Sequence, residues 1–335
     1  GRMVDQLEEE NSKHIAYYVG SKSPKVLLYF WPIRKLILEQ NVDVLHLRSR
    51  MPAWLGYLVW RSLPKEKRPI LVTTFHGFYS VNKYSAIMTK GMGIIAVSKS
   101  IKKHILSNYK VEQEVKLIFR GVDEEQFDSA KVSKSRIERL RANWNLKENM
   151  IVMLPARITR LKGQDVFIKA VSLLKDVVFQ AVLVGDPNEN PGLMEELKQL
   201  VKENNVEEKV IFAGHCNDMA AAYCLADLVV SSSSSEPEAF GRTIVEAMAM
   251  GKPVVATAHG GSLETIVPGI TGWLVLPGDP KEMAKAIKRF FNLSDEEREV
   301  MGKSGQERVR KMYTTKSMCD DTMSFYRKLI KENKN

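Results

Sequence analysis

Short runs of β-branched and other apolar residues alternate along the chain with longer stretches whose apolar positions recur every three or four residues. In the first half the runs are HIAYYV (14–19), VDVLHL (42–47), ILVTTF (70–75), GIIAVS (93–98) and VKLIF (115–119). Helical patterns lie between them at 25–40, 52–63, 82–91 and 99–109. In the second half the runs are IVMLPA (151–156), FQAVLVG (179–185), KVIFAG (209–214), DLVVSS (227–232), KPVVAT (252–257) and GWLVL (272–276), again with helical stretches between. Continuously apolar strands separated by helices predict parallel sheets covered on both faces. The pattern therefore predicts two doubly wound, Rossmann-like α/β domains in succession.

The boundary is expected in the charged stretch 121–150, which precedes a fresh strand. The domains are set at 1–135 and 136–313, with 314–335 as a terminal helix. A doubly wound domain ordinarily opens on a strand and a glycine-rich turn, and residues 1–24 contain no such turn. The first domain is thus expected to lack its first strand-turn unit.

With 335 residues, 44% of them apolar and 27% charged, the chain has the make-up of a globular protein with two cores. No stretch approaches the roughly 20 apolar residues that span a bilayer, and the polar, acidic opening is not a signal peptide. Three cysteines without metal-ligand spacing fit a reducing, cytoplasmic compartment and no structural zinc. The net charge of +10 is uneven, because residues 1–120 hold 20 lysines and arginines against 9 acidic residues. Either these are solvated surface charges, or the first half meets an anionic partner. No RNA- or DNA-binding motif accompanies them, so nucleic acid is not an expected partner. Trp54, Tyr57 and Trp60, followed by Arg61, Lys65, Lys67 and Arg68, are either the buried face of a helix or a contact with an anionic membrane.

The candidate chemistry lies mainly in the second half. In SSSSSEPEAFGRTIVEAMAMG (231–251) a strand ends in serines, a loop carries Glu238, Ala239 and Phe240, and a helix begins after Gly241. Gly241 admits a ligand close to the backbone. The amides of Arg242, Thr243 and Ile244 would form an anion site at the helix start. A carboxylate accepts hydrogen bonds from adjacent hydroxyls, so Glu246 suits a ribose and Glu238 a hexose. Thr243-x-x-Glu246 equally spells a capping box, in which both side chains satisfy the helix's own amides. ARITRLKG (156–163) brings Arg157 and Lys162 to the carboxyl end of a strand, where a guanidinium and an ammonium can hold phosphate. At another strand end, either Gly214 and the backbone of His215 approach a flat base, or Gly214 serves only a tight turn.

Taken together, Glu238–AFGRTIV–Glu246, EAMAMGKPVVAT, GGSLETI, GITGWLVLPGD and the upstream Arg157…Lys162-Gly163 resemble glycosyltransferase family 4, of the two-domain GT-B fold, over 151–280. The resemblance implies that Arg157 and Lys162 hold the diphosphate of a nucleoside-diphosphate sugar. Glu246 would then bind ribose, and Glu238 with the backbone from Ala239 to Thr243 would meet the transferred sugar. It implies transfer with retention, a UDP-sugar as the first expected donor, a glycan or lipid-linked acceptor, and the terminal helix crossing back to the first domain. TTFHGF (73–78) matches the family's His-Gly, which brings His76 and Gly77 to the reaction centre. Arg48 and Arg50 of HLRSRMPAW, at another strand end, either receive an acidic acceptor or are surface charges with no phosphate to hold. The EPEAFGR variant resembles bacterial enzymes of lipopolysaccharide or cell-surface polysaccharide synthesis, which act at the inner face of the membrane. No Asp-x-Asp pair occurs, so fixed cations are expected to serve in place of a metal, with no cofactor. A nucleotide-sugar epimerase of the same fold, and a binding protein without turnover, are the alternative readings.

Overall fold

The computed structural model describes all residues except 1–3, 5, 6, 8, 22, 334 and 335. The chain divides into two compact units. One comprises Gly1–Ile95, Ile105–Lys116 and Phe325–Asn335, and the other Ala96–His104 and Leu117–Ser324.

The leading elements are α1 (Phe30–Glu39), β1 (Val44–Leu47), α2 (Arg50–Ser62), β2 (Ile70–Phe75), β3 (Gly93–Ala96), α3 (Lys99–Asn108) and β4 (Val115–Leu117). A 3-10 turn, Pro24–Tyr29, leads into α1, with the Ser23 side chain accepting from the Lys25 amide. The strands form one sheet in the order β1-β2-β3-β4, with β1 parallel to β2 and β2 buried along its whole length. Val26, Ile37, Leu55, Val59 and Leu63 form a cluster where α1 packs on α2. Gly56 lets α2 lie on β1, since a Cβ there would stand 2.5 Å from Leu47 Cδ2.

Two expectations fail in this unit. Residues 14–19, read as a strand, are irregular. A strand needs a ladder partner, and β1 is the edge of the sheet among the described residues, with none beyond it. The helical pattern at 82–91 is realised only as a 3-10 turn, Ser85–Thr89.

Next come α4 (Lys134–Asn143), β5 (Ile151–Pro155), α5 (Gln164–Ser172), β6 (Gln180–Val184), α6 (Pro191–Glu203), β7 (Val210–Gly214), α7 (Met219–Leu225) and β8 (Leu228–Ser231). The rest is α8 (Arg242–Ala249), β9 (Val254–Thr257), α9 (Ser262–Thr265), β10 (Gly272–Val275), α10 (Pro280–Phe291), α11 (Asp295–Met312) and α12 (Thr315–Asn333). Each of the six runs predicted in this half is a strand. They form one sheet in the order β10-β9-β8-β5-β6-β7, parallel throughout. From β5 the chain winds outward through β6 and β7, then returns to the other side of β5 and winds away through β8, β9 and β10. The reversal lies between β5 and β8. In open α/β sheets ligands bind at that point, outside the carboxyl ends of the strands.

The helices follow from local rules. In α10, Met283, Ala284, Ile287 and Phe290 fall on one buried stripe against the sheet. Asp279 caps its first turn and Pro280 occupies its first position. A capping box between Ser294 and Glu297 starts α11. Residues 117–135, expected with the first domain, belong to the second unit. Val122 and Thr314 form a parallel bridge there, and Arg136 of α4 pairs with Asp218 at 2.6 Å.

The end of α12 belongs to the first unit. Gly93 of β3 leaves room for Phe325 and Leu329, which a Cβ would meet at 2.7 and 2.6 Å. Beside them the His46 ring lies between two hydroxyls. Nε2 is 2.6 Å from Thr74 Oγ1, and Nδ1 is 2.6 Å from Tyr326 Oη. Burial, reinforced by the Arg48 charge, lowers the His46 pKa from 6.5 to about 4. The folded chain therefore refuses a proton that the unfolded chain accepts below 6.5, and stability falls as pH drops from 6.5 toward 4. The full effect is about 3 kcal/mol. Urea unfolding of the wild type should weaken between pH 7 and 5 more steeply than that of His46→Gln. Equal slopes would show that His46 does not contribute to the acid sensitivity.

Candidate functional site

The site is built from the two loops that leave β5 and β8 on either side of the reversal. After β5 the chain runs through Arg157, buries Ile158 and makes a 3-10 turn, Arg160–Lys162. Gly163, with φ +63°, then turns it into α5. Gly163 is obligatory for two reasons. Its backbone is left-handed, and a Cβ would stand 2.0 Å from the Ser232 carbonyl oxygen. That close approach locks the loops together. Ser232 Oγ donates to the Lys162 carbonyl at 2.7 Å, and the Ser234 amide donates to Leu161 O at 3.1 Å.

Across this seam Lys162 Nζ lies 2.5 Å from Glu238 Oε2, with both side chains mostly buried. Ser233 Oγ donates to the same oxygen at 3.0 Å. One carboxylate oxygen is thus doubly held, while Oε1 meets no protein donor among the described residues. The backbone of Glu238 is fixed as well. It bridges to Gly260, and the Gly261 amide donates to its carbonyl at 2.6 Å. A Cβ on Gly260 would meet that carbonyl at 2.2 Å, and one on Gly261 would meet Phe240 Cα at 2.5 Å. The GGSLETI segment is thereby read as a seat for the Glu238 loop.

Gly241, at φ 90°, begins α8 as its N-cap. Ala239 is half-buried, and the Phe240 ring is buried against Phe119 and Tyr313, so these two residues offer the site their backbone. The amides of Arg242 and Thr243 have no backbone acceptor among the described residues, whereas that of Ile244, expected to be free, donates to Gly241 O at 3.1 Å. The capping-box reading also fails. Thr243 is the second residue of the helix rather than its cap, and no side chain caps it. The Glu246 carboxylate instead turns inward. Oε2 accepts from the buried Tyr223 hydroxyl at 3.0 Å, and Oε1 from Arg242 at 3.0 and 3.2 Å. Burial raises the Glu246 pKa against the opposing pull of Arg242, and raises the Tyr223 pKa well above its ordinary value.

Arg157 is exposed, and its guanidinium has no partner among the described residues. Its backbone is held through Gln164, almost wholly buried, whose Nε2 donates to the Arg157 carbonyl at 2.7 Å. Gly214 takes φ +71° at the end of β7, and open space surrounds its would-be Cβ. There glycine serves the turn. His215 is exposed and meets Asn217 Oδ1 at 2.9 Å.

In the first unit, the Arg48 Nε–H donates to His76 Nε2 at 3.3 Å, and Gly77 follows at the end of β2. Arg50 has a different position from its neighbour. It donates to the buried Ser85 hydroxyl and lies over the rings of Tyr79 and Tyr84 at 4.7 and 5.4 Å. Trp54 and Trp60 donate their indole N–H groups to Tyr84 O and Pro69 O. Tyr57 stacks on Trp60. The aromatic stripe is thus bound into the unit.

Sequence reasoning missed Ser233, Tyr223, Gln164 and His259, whose Nε2 lies 2.8 Å from Ser233 O. The serine run carried a signal, because a polar run at the end of a buried strand asks what it bonds. Tyr223 in an alanine-rich helix carried none.

Two Rossmann-like α/β units, the first sheet wound in one direction and the second doubly wound with carboxylates and cations at its switch point, define a GT-B glycosyltransferase. The chain belongs to the family described as Glycosyl transferases group 1, whose pattern matches residues 135–308, while that of Glycosyltransferase Family 4 matches residues 4–126. A crystallised glycosyltransferase from Rickettsia africae is 33% identical, with a TM-score of 0.89 over 99% of this chain and 88% of its own. N-acetyl-alpha-D-glucosaminyl L-malate synthase of Bacillus anthracis is 26% identical, covering 95% of this chain and 83% of that protein. Anabaena HepE, crystallised with UDP-glucose, is 24% identical with a TM-score of 0.82 over 97% of this chain and 89% of its own, a likeness of fold. No helix among the described residues is long and apolar enough to cross a membrane.

The Gly163 contact yields a direct test. Gly163→Ala should cost more than about 2 kcal/mol in urea unfolding, because it combines a left-handed backbone with a clash against main chain. A loss under about 0.5 kcal/mol would mean that the two loops are not locked as described.

Proposed function

We propose that the chain transfers a hexose-type sugar, with retention, from a nucleoside-diphosphate sugar to a glycan or lipid-linked acceptor in bacterial surface-glycan synthesis. The observation that carries this reading is the half-engaged Glu238. Its Oε2 is held by Lys162 and Ser233 while Oε1 is left for a sugar hydroxyl, beside a helix start with two amides that meet no backbone acceptor among the described residues.

As the diphosphate departs, negative charge grows on its oxygens and the sugar becomes oxocarbenium-like. Fixed cations and amides stabilise that charge without reorganisation. Arg157, unpaired among the described residues, supplies one cation, Lys162 another, and the Arg242 and Thr243 amides supply dipoles. Glu246, held by Tyr223 and Arg242, accepts from ribose hydroxyls. The base rests near Gly214 and His215. UDP is the first candidate, supported by the UDP-glucose found on the similar fold of HepE. In the first unit, His76 is assigned a catalytic role, and Arg48 beside it and Gly77 are assigned to the acceptor. Arg50, caged by Tyr79 and Tyr84, shapes that surface. These positive charges leave no task that requires a divalent ion, and the reaction is assigned no metal.

Replacing Arg157 by Ala should reduce turnover about 10²–10³-fold, measured as acceptor-dependent release of nucleoside diphosphate. Glu246→Gln should chiefly weaken nucleotide binding, read by calorimetry. Wild-type behaviour in both variants would overturn the site assignment. Turnover should also persist undiminished in EDTA, and a loss restored by added magnesium would contradict the fixed-cation account. Release of diphosphate without any acceptor requirement would favour an epimerase or simple hydrolysis over transfer.

A further inference from the structure

We propose that His259 is a positioning residue for Glu238, acting through Ser233. The proposal rests on the reading of Glu238 as the group that meets the donor sugar.

His259 follows β9, just before Gly260 and Gly261, which seat the Glu238 backbone. It therefore stands where the third loop of the site meets the loop leaving β8. Its Nε2 lies 2.8 Å from the carbonyl oxygen of Ser233. A carbonyl can only accept, so Nε2 carries the proton and donates. Ser233 is almost wholly buried, and its hydroxyl donates in turn to Glu238 Oε2 at 3.0 Å, the oxygen that also meets Lys162. One chain of bonds thus runs from the imidazole through a single buried residue to the carboxylate.

The peptide that joins Ser233 to Ser234 is held on both sides, its carbonyl accepting from His259 and its N–H, that of Ser234, donating to Leu161 O. Ser232 Oγ holds the Lys162 carbonyl, and the Ser234 amide holds Leu161 O. Both contacts point toward β5, while His259 pulls from the β9 side. The peptide is fixed between the two, and with it the direction of the Ser233 hydroxyl. Loss of the imidazole donor would leave that peptide held on the β5 side alone, free to tilt and carry the Ser233 hydroxyl away from Glu238. The carboxylate would keep its place through Gly260 and Gly261, but its orientation about the last torsion would be set by Lys162 alone. Sugar contacts through Oε1 would suffer, whereas contacts to the diphosphate would not.

Burial lowers the His259 pKa against the opposing influence of Ser233 and Glu238. The ring is therefore neutral at physiological pH. The Nε2–H donor is present in the neutral and the charged ring alike, so a positioning role does not require the imidazole to change its charge.

The test compares His259→Leu, His259→Gln and Glu238→Gln. Each is titrated with UDP-, GDP- and ADP-glucose and with the three bare diphosphates. The glutamine amide reaches the place of Nε2 and can donate to Ser233 O. For the best-bound pair, His259→Leu should weaken the sugar nucleotide about tenfold, the loss of one hydrogen bond, and leave its diphosphate unchanged. His259→Gln should stay within about twofold of wild type. Wild-type binding by the leucine variant, or an equal loss in the glutamine variant, would overturn the proposal. If Glu238→Gln bound sugar nucleotide like wild type, the reading of Glu238 itself would fall, whatever His259 does. A ligand-free arm uses ¹⁵N-histidine resonances at pH 8. A protonated Nε2 at His259 is expected, and a protonated Nδ1 with bare Nε2 contradicts the bond on which the proposal depends.

Discussion

Everything in the second unit that bears on chemistry depends on how the loops leaving β5 and β8 are sewn together. The chain winds away from β5 in both directions, which opens a gap in the connections at the carboxyl ends of these neighbouring strands. A gap of that kind would collapse or stay wet without a fixed edge. Here the edge is a backbone contact tight enough that only glycine fits at 163, with the Lys162–Glu238 ion pair laid across it. The pair is partly desolvated and lacks full hydrogen bonding on the glutamate side. Such an arrangement is poor as a stability device, because the desolvation of two charges offsets much of their attraction. It is better understood as a carboxylate held in place and aimed.

The two glutamates of the site are held by opposite means. Glu238 is braced by groups from three loops and stays partly open. Glu246 sits in a helix, is almost wholly buried, and has both oxygens already engaged by Tyr223 and Arg242. On the proposed reading, a ribose would share Glu246 with these groups or displace Arg242, the more exposed of the two partners. The burial that raises the Glu246 pKa also strengthens any hydrogen bond it accepts. An arginine in the first turn of a helix is opposed by the helix dipole, and pairing with Glu246 one turn on offsets that cost.

Most of this fold was legible in the sequence because buried parallel strands write themselves as unbroken apolar runs. All six such runs from Ile151 onward are strands, with ends within two residues of those expected. HIAYYV has the same composition and is irregular, since a strand is a property of a pair and no partner stands beside it. Of the site, the glycines at 163 and 241 and the charged residues beside them could be read, because unusual backbone and lone cations leave local marks. The orientation of Glu246 could not. Thr243-x-x-Glu246 fits a capping box in spacing, and only the actual cap at Gly241 moves Thr243 inside the helix. His259 and Tyr223 act at distances along the chain of 26 and 23 residues from their partners, where no periodicity reaches.

The central claim is that a sugar nucleotide binds across the β5–β8 switch point. Hydrogen exchange of the full chain, with and without a saturating sugar nucleotide, addresses it directly. The account predicts slowed exchange in 156–163 and 236–246, where amides and loop backbone meet the diphosphate and sugar. Slowing confined to other parts of the chain, or none at all with a ligand shown to be bound, would contradict it.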